Sequence, residues 1–276
     1  MTGSIIGLVA GLLVGSFLNV CIYRLPRDLS VVHPRSFCPA CRQTIRWYDN
    51  IPLLSYLLLR GRCRRCGAAI PLRYLLVELL TAALFAFTAG RLGLTPAALK
   101  WCLFEALMIG LIFSDLEERI LPDQFTLGGA LAGLALSLWT PMGWGYGHLF
   151  LGPLLKGRWL SLGESALGAV LASALLWLVG ALYAAVRRKE GLGFGDVKMM
   201  AAVGAFLGFH GALQTLVLGS LAGSVVGVIY IWLAKKDFKT YELPMGSFLG
   251  ATALLLALLT GPLAAHASVS SAILFF

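Results

Sequence analysis

Gly193-Phe194-Gly195-Asp196-Val197-Lys198 leads into residues 197–209, a run that is apolar apart from Lys198. A second apolar run, residues 106–114, ends directly on Asp115. A carboxylate at the centre of a membrane helix costs about 2.5–3.5 kcal/mol on insertion scales. A chain that keeps two acids at the ends of such runs reads as a membrane protein with acid chemistry at its boundary.

Composition supports that class. Of 276 residues, 59% are hydrophobic and 13% charged, against roughly 25% charged in soluble domains. Mean hydropathy is +0.84. Eight apolar spans follow, at roughly 4–22, 75–92, 97–114, 125–141, 164–186, 197–209, 212–234 and 246–263. Most reach the about 17–25 residues that a helix needs to cross a bilayer. The sixth is short and suits a half-span or one buried by protein. The first lacks a basic n-region and a small-residue cleavage site before Arg24, so it reads as a span and not a signal peptide. The expected fold is an all-α polytopic membrane protein of about eight transmembrane helices.

Charge orients it. With the amino terminus outside, 18 of the 22 Lys and Arg residues fall on inside segments, all but Arg91, Lys100, Lys156 and Arg158. That bias puts both termini on the outer face. It also accounts for the formal charge of +9 without nucleic acid, because juxtamembrane basic groups attract anionic lipid headgroups. Three regions result: a first transmembrane helix (1–23), a cytoplasmic insertion (24–73) and a transmembrane domain (74–276). Residues 141–162, rich in Pro, Gly and Trp, read as an irregular outer loop. Gly7, Gly11 and Gly15, and again Gly219, Gly223 and Gly227, recur every four residues. Small residues at that spacing let helix backbones approach closely.

The insertion holds ten basic residues against Asp28 and Asp49, and it carries Cys38-Pro39-Ala40-Cys41 and Cys63-Arg64-Arg65-Cys66. The 21 residues between the pairs lie just beyond the usual zinc spacing of about 15–20. Four thiolates close a tetrahedral structural zinc site with no open position. The reducing compartment argues against disulfides, and a segment of about 50 residues needs a staple. Redox C-x-x-C chemistry is the other reading. Cys21 and Cys102 lie inside spans as small apolar packers. His33, His148, His210 and His266 show no ligand spacing.

Asp115 precedes Leu116-Glu117-Glu118-Arg119-Ile120-Leu121-Pro122-Asp123, where Pro122 breaks the helix. Asp196 follows two glycines that permit a tight backbone turn. Under the charge-derived topology both acids fall at inner ends of their spans and can share one site. Two carboxyls held close cannot both ionise easily, so one keeps a proton. The ionised member activates water and the protonated member donates to a peptide carbonyl. The plain alternatives are helix capping by Asp115 or Asp123, and an ion pair of Asp196 with Lys198 or Arg119.

Five ordered blocks carry a resemblance. They are Gly15-Ser16-Phe17-Leu18-Asn19-Val20-Cys21-Ile22-Tyr23-Arg24-Leu25-Pro26, the cysteine loop with Trp47-Tyr48-Asp49-Asn50-Ile51-Pro52, Arg73-Tyr74-Leu75-Leu76-Val77-Glu78, the Asp196 motif, and Pro244-Met245-Gly246-Ser247-Phe248-Leu249. Together they resemble the type IV prepilin peptidase family, membrane aspartyl proteases of the GxGD type. Leu75 stands where that family usually has proline. Glu117 holds the place of a second acid found in many members. The resemblance implies cleavage of type IV prepilin or pseudopilin leaders after a glycine, at the cytoplasmic face of the bacterial inner membrane. It also implies methylation of the new amino terminus from S-adenosylmethionine. It maps the catalytic aspartates to Asp115 and Asp196, with Asp123 in reserve. No strand-plus-glycine nucleotide cradle is visible for the methyl donor, and its binding residues stay unassigned. Glu105 and Asn19 read as hydrogen-bonded polar groups within spans, and Glu78 opens the second span beside the basic insertion.

Two rival readings make distinct predictions. A proton- or cation-coupled transporter would distribute its acids along a pathway that includes Glu105. A non-enzymatic assembly protein would use the zinc loop for docking and tolerate loss of both aspartates.

Overall fold

The computed structural model describes residues 1–142, 145–188, 193–235 and 243–261. Lys189, Lys236 and Lys239, counted above as inside charges, lie outside these residues, as do Gly143, Trp144 and His266. Among the described residues the chain is helical with no β-strand, and its contacts divide it into two units, one up to residue 110 and one from residue 111 onward. The division falls within one helix.

In the first unit, α1 (Thr2–Arg24) is followed by the cysteine insertion with its short α2 (Leu54–Leu58). Then come α3 (Leu72–Leu92) and the first part of α4 (Pro96–Glu118). At 1.5 Å per residue, a 23-residue helix such as α1 is about 35 Å long and covers a hydrocarbon core of about 30 Å. Gly7, Gly11 and Gly15 are buried against α3. A Cβ on Gly11 would stand 2.6 Å from Ala82 Cα, and one on Gly15 2.8 Å from Glu78 Cα, so the two backbones touch as the spacing anticipates. Two polar side chains each find one partner on a neighbouring helix: Asn19 Nδ2 donates to the Tyr74 carbonyl at 3.0 Å, and Thr88 Oγ1 donates to Glu105. At the foot of α1 the buried Arg24 turns the chain, donating to the Ser30 and Pro34 carbonyls at 2.8 Å each.

The second unit holds the end of α4, α5 (Asp123–Ser137), α6 (Tyr146–Leu151), α7 (Arg158–Arg187), α8 (Phe194–Leu233) and α9 (Met245–Thr260). The chain leaves α4 through Arg119 at φ 57, and Pro122 caps α5, the break that the proline predicts. The stripe Gly219, Gly223 and Gly227 packs on Leu249, Phe248 and Leu243. Helix α8 has 40 residues, about 60 Å if straight and twice the hydrocarbon core. It is interrupted at Gly208, φ 69 and ψ 178, which separates the short sixth span from the seventh. A side chain there would be strained, and its Cβ would lie 3.2 Å from Glu164 Oε1.

The apolar spans read from the sequence fall on helices for most of their length; 125–141 runs past the end of α5 at Ser137, 246–263 extends beyond the described residues, and 197–209 and 212–234 share α8. Five helices are long and apolar enough to cross a membrane, and α9 is a shorter apolar helix. The loop reading of 141–162 needs correction, because α6 and the first turn of α7 fall inside it. Glu164, buried at 2% exposure, accepts the His148 backbone N–H at 3.1 Å. Ser161 Oγ accepts the Met142 N–H at 3.2 Å. Side chains of α7 thus supply partners that the glycine-rich local sequence does not announce.

Candidate active site and four-cysteine cluster

Asp115 stands in the last turn of α4 and is 6% exposed. Its Oδ2 accepts two hydrogen bonds from Ser247, from the backbone N–H and from the hydroxyl, each at 2.7 Å. Ser247 is the third residue of α9, so its N–H belongs to the first turn, whose donors have no partner inside the helix. The carboxylate meets the positive end of α9. Gly246 makes this approach possible, since a Cβ there would lie 3.2 Å from Asp115 Cγ and 3.1 Å from Leu121.

Asp196 is the third residue of α8, with Gly193 as N-cap. Its Oδ2 folds back to 3.4 Å from the position of a Cβ on Gly193. Leu121 packs on Gly195 at 3.2 Å from the equivalent point, so this one side chain bridges the first turns of α8 and α9. Two acids 81 positions apart in sequence thus stand on helix ends that Leu121 gathers, where α4 ends and α8 and α9 begin. Asp123 does not join them. It is exposed and paired with Lys198 Nζ at 2.7 Å, so Lys198 bonds Asp123 and not Asp196.

Residue selection from sequence missed Ser247 as a partner of Asp115. It stood in one of the quoted blocks, but only the fold brings it across 132 residues. Glu78 Oε2 accepts the Leu53 N–H at 2.7 Å, tying α3 to the insertion.

In the first unit the sulfurs of Cys38, Cys41, Cys63 and Cys66 all lie within 4.8 Å of one another. The two arms repeat one backbone. Cys38 N–H donates to Gln43 O at 3.0 Å and Cys63 N–H to Ala68 O at 2.8 Å. Arg42 N–H returns to Cys38 O at 2.8 Å and Gly67 N–H to Cys63 O at 2.9 Å. Both closing residues have positive φ, 56 and 71, and each arm is sealed by one bridge, Phe37–Thr44 and Arg62–Ala69. Tetrahedral zinc–sulfur bonds of about 2.3 Å place sulfurs about 3.8 Å apart, and Cys38 and Cys66 stand at 3.9 Å. The donor set fits a metal ion such as zinc. Backbone N–H groups of Cys66 and Arg65 hold the Cys63 thiol down to about 7. Cys66 has an N–H donor from Ala68, yet burial and its crowded sulfur neighbours push it up to about 11. Arg64 does not face the sulfurs alone: it forms a forked pair with Asp49 at 2.7–3.0 Å.

Known proteins carry the same arrangement of regions. Residues 9–92 match the bacterial peptidase A24 N-terminal domain, and residues 102–228 match the type IV leader peptidase family. A protein of Aeromonas hydrophila is 38% identical over 91% of this chain and 88% of its own length. One of Pseudomonas aeruginosa is 36% identical over 92% and 89%, and one of Burkholderia pseudomallei 34% over 88% and 81%. All three are named prepilin leader peptidase/N-methyltransferase. No solved structure matches the chain. With relatives of this identity running through both regions, the chain belongs to the type IV leader peptidase family.

Proposed function

We propose that this protein is a membrane aspartyl endopeptidase that removes the leader from type IV prepilins or pseudopilins, with Asp115 and Asp196 as its catalytic carboxyls. The reading is carried by Leu121, which packs against both Gly195 of the Asp196 turn and Gly246 of the turn that binds Asp115. Family membership supports leader cleavage, and the relatives' names support N-methylation of the new amino terminus as a second activity. Cleavage follows a glycine at the cytoplasmic face of the inner membrane. The excess of basic residues on the segments facing that side supports this orientation, with both termini periplasmic and eight crossings.

The chemistry needs one proton between two carboxyls. The ionised acid takes a proton from water as its oxygen attacks the scissile carbonyl, and the other acid donates to the carbonyl oxygen. Collapse of the resulting adduct breaks the C–N bond and passes a proton to the leaving amine. Helix N-termini beside the site favour the negative charge that one partner must hold.

Cys38, Cys41, Cys63 and Cys66 hold structural zinc, which locks the insertion's fold when bound. S-adenosylmethionine is the methyl donor that the relatives' names support. The described residues include no β-strand and so no strand–glycine-loop–helix cradle for it, so its binding residues differ from those of a soluble nucleotide fold. Membrane lipid is the other partner; nucleic acid is not one.

The test uses purified protein and a prepilin substrate. Asp115→Asn and Asp196→Asn keep the side-chain volume and remove the titrating group. Each should reduce cleavage by about 10²–10⁴-fold, read by gel shift of the processed pilin. Cleavage at the wild-type rate in either variant would remove that residue from the catalytic pair.

A further inference from the structure

Ser247 presents Asp115 with two donors of different kinds. The backbone N–H is fixed by the first turn of α9 and can only donate. The hydroxyl is a rotor with a single proton, and two acceptors lie in its reach: Asp115 Oδ2 at 2.7 Å and the Ile112 carbonyl at 3.1 Å. Ser247 is buried at 7% exposure, so water does not compete freely for these bonds. Ile112 lies three residues before Asp115 on the same helix, so both acceptors face one side of α4.

We propose that Ser247 is a positioning residue for the catalytic pair: its two donors make Asp115 the ionised, water-activating member and leave the shared proton on Asp196. The inference rests on the reading of Asp115 and Asp196 as the pair. Its physical basis is directional. An oxygen that faces an N–H must offer a lone pair, and a second donor on that oxygen favours the charged carboxylate further. A proton shared by two carboxyls then resides on the other one. When Asp115 takes the proton released by the attacking water, the Ser247 hydroxyl turns to the Ile112 carbonyl and can accept from the new carboxylic acid. One side chain thereby serves both protonation states.

Among the described residues, the other charges near Asp115 on its own segment and on α8 and α9 are these. From α8 come Asp196, the proposed proton carrier, and Lys198, which is bonded to Asp123 at 2.7 Å. The first turn of α9 contains no acidic residue. Glu117, Glu118 and Arg119 follow Asp115 on its own segment, and all three stay intact in the variants below.

The test measures kcat and KM against pH for the purified full-length protein in detergent, with a prepilin-derived substrate. Ser247→Ala keeps the backbone donor and loses the rotor. Its kcat should fall about 10- to 100-fold, the loss expected for a hydrogen bond to a charged group, with KM within about twofold. The lower limb of the pH–rate profile should move to higher pH, because losing a donor disfavours the charged carboxylate. Ser247→Thr restores the hydroxyl and should restore both kcat and the limb. Melting curves accompany each variant. If Ser247→Ala melts early, Ser247→Cys, a weaker donor of similar size, should show the same displacement to a smaller extent. A wild-type limb in Ser247→Ala or Ser247→Cys, with Asp115→Asn inactive, overturns the proposal. Equal losses in the Ala and Thr variants do the same, since they mark a packing role. If Asp115→Asn itself still cleaves, the underlying reading of the pair fails instead.

Discussion

Glu105 and Asp115 lie ten residues apart on one helix, and each is buried with a hydroxyl for partner. Glu105, 1% exposed, accepts from Thr88 within the first unit. A neutral amide of equal size accepts that bond as well, so Glu105→Gln should cleave prepilin within about twofold of wild type. A proton-carrying pathway through Glu105 would instead show a loss of activity in that variant. Glu105→Leu strands the Thr88 hydroxyl and should cost about 1–3 kcal/mol of stability, read as a lower melting temperature in detergent. Asp123 is a contrasting case. Its carboxylate is 55% exposed in the pair with Lys198, and exposed pairs contribute about 0–1 kcal/mol. Asp123→Asn should therefore leave cleavage and melting nearly unchanged, and a large loss there would move the catalytic role away from Asp115.

At the scale of elements, α1 and α3 are joined by absence of side chains. A Cβ on Gly11 would come within 2.6 Å of Ala82 Cα and 2.7 Å of the Thr81 carbonyl, and backbone atoms cannot step aside. Gly11→Ala should destabilise by about 1–3 kcal/mol, the usual range for overpacking, whereas Leu13→Ala on the exposed face of α1 should cost far less. Thermal unfolding of the two variants in the same detergent makes the comparison. The two cysteine arms place their four sulfurs where one metal ion could hold them all. Protons and metal compete for the same sulfurs, and only the deprotonated form binds. With Cys63 at about 7 and Cys66 near 11, zinc affinity measured by chelator competition should fall as pH drops through 7. Removing the ion should open residues 36–70 to protease. Retention of one equivalent of metal by Cys63→Ser would contradict a four-sulfur site.

Over the whole molecule, hydropathy located the long apolar helices because burial in lipid demands long uninterrupted runs, and Pro122 marked its own break. The cysteine quartet was equally legible, since its ligand spacing is local. Three features were not. The partner of Asp115 comes from a segment 132 positions away. The helix within 141–162 depends on Glu164 of α7 accepting the His148 N–H. The mirrored hydrogen bonding of the two cysteine arms lies in backbone angles that Arg42 and Gly67 reach equally, though their side chains share nothing. Such information resides in long-range contact and in torsion, where local pattern has no reach.

Gly208 divides α8 so that twelve residues, about 18 Å of helix at 1.5 Å each, separate the discontinuity from Asp196. A change of about ten degrees at that point would carry the far end, and Asp196 with it, through about 3 Å. The pivot is set by Glu164, whose Oε1 would stand 3.2 Å from any Cβ at Gly208. Gly208→Ala should accordingly slow turnover from a distance while both aspartates stay chemically intact, and unchanged kcat in that variant would rule out any leverage from the pivot.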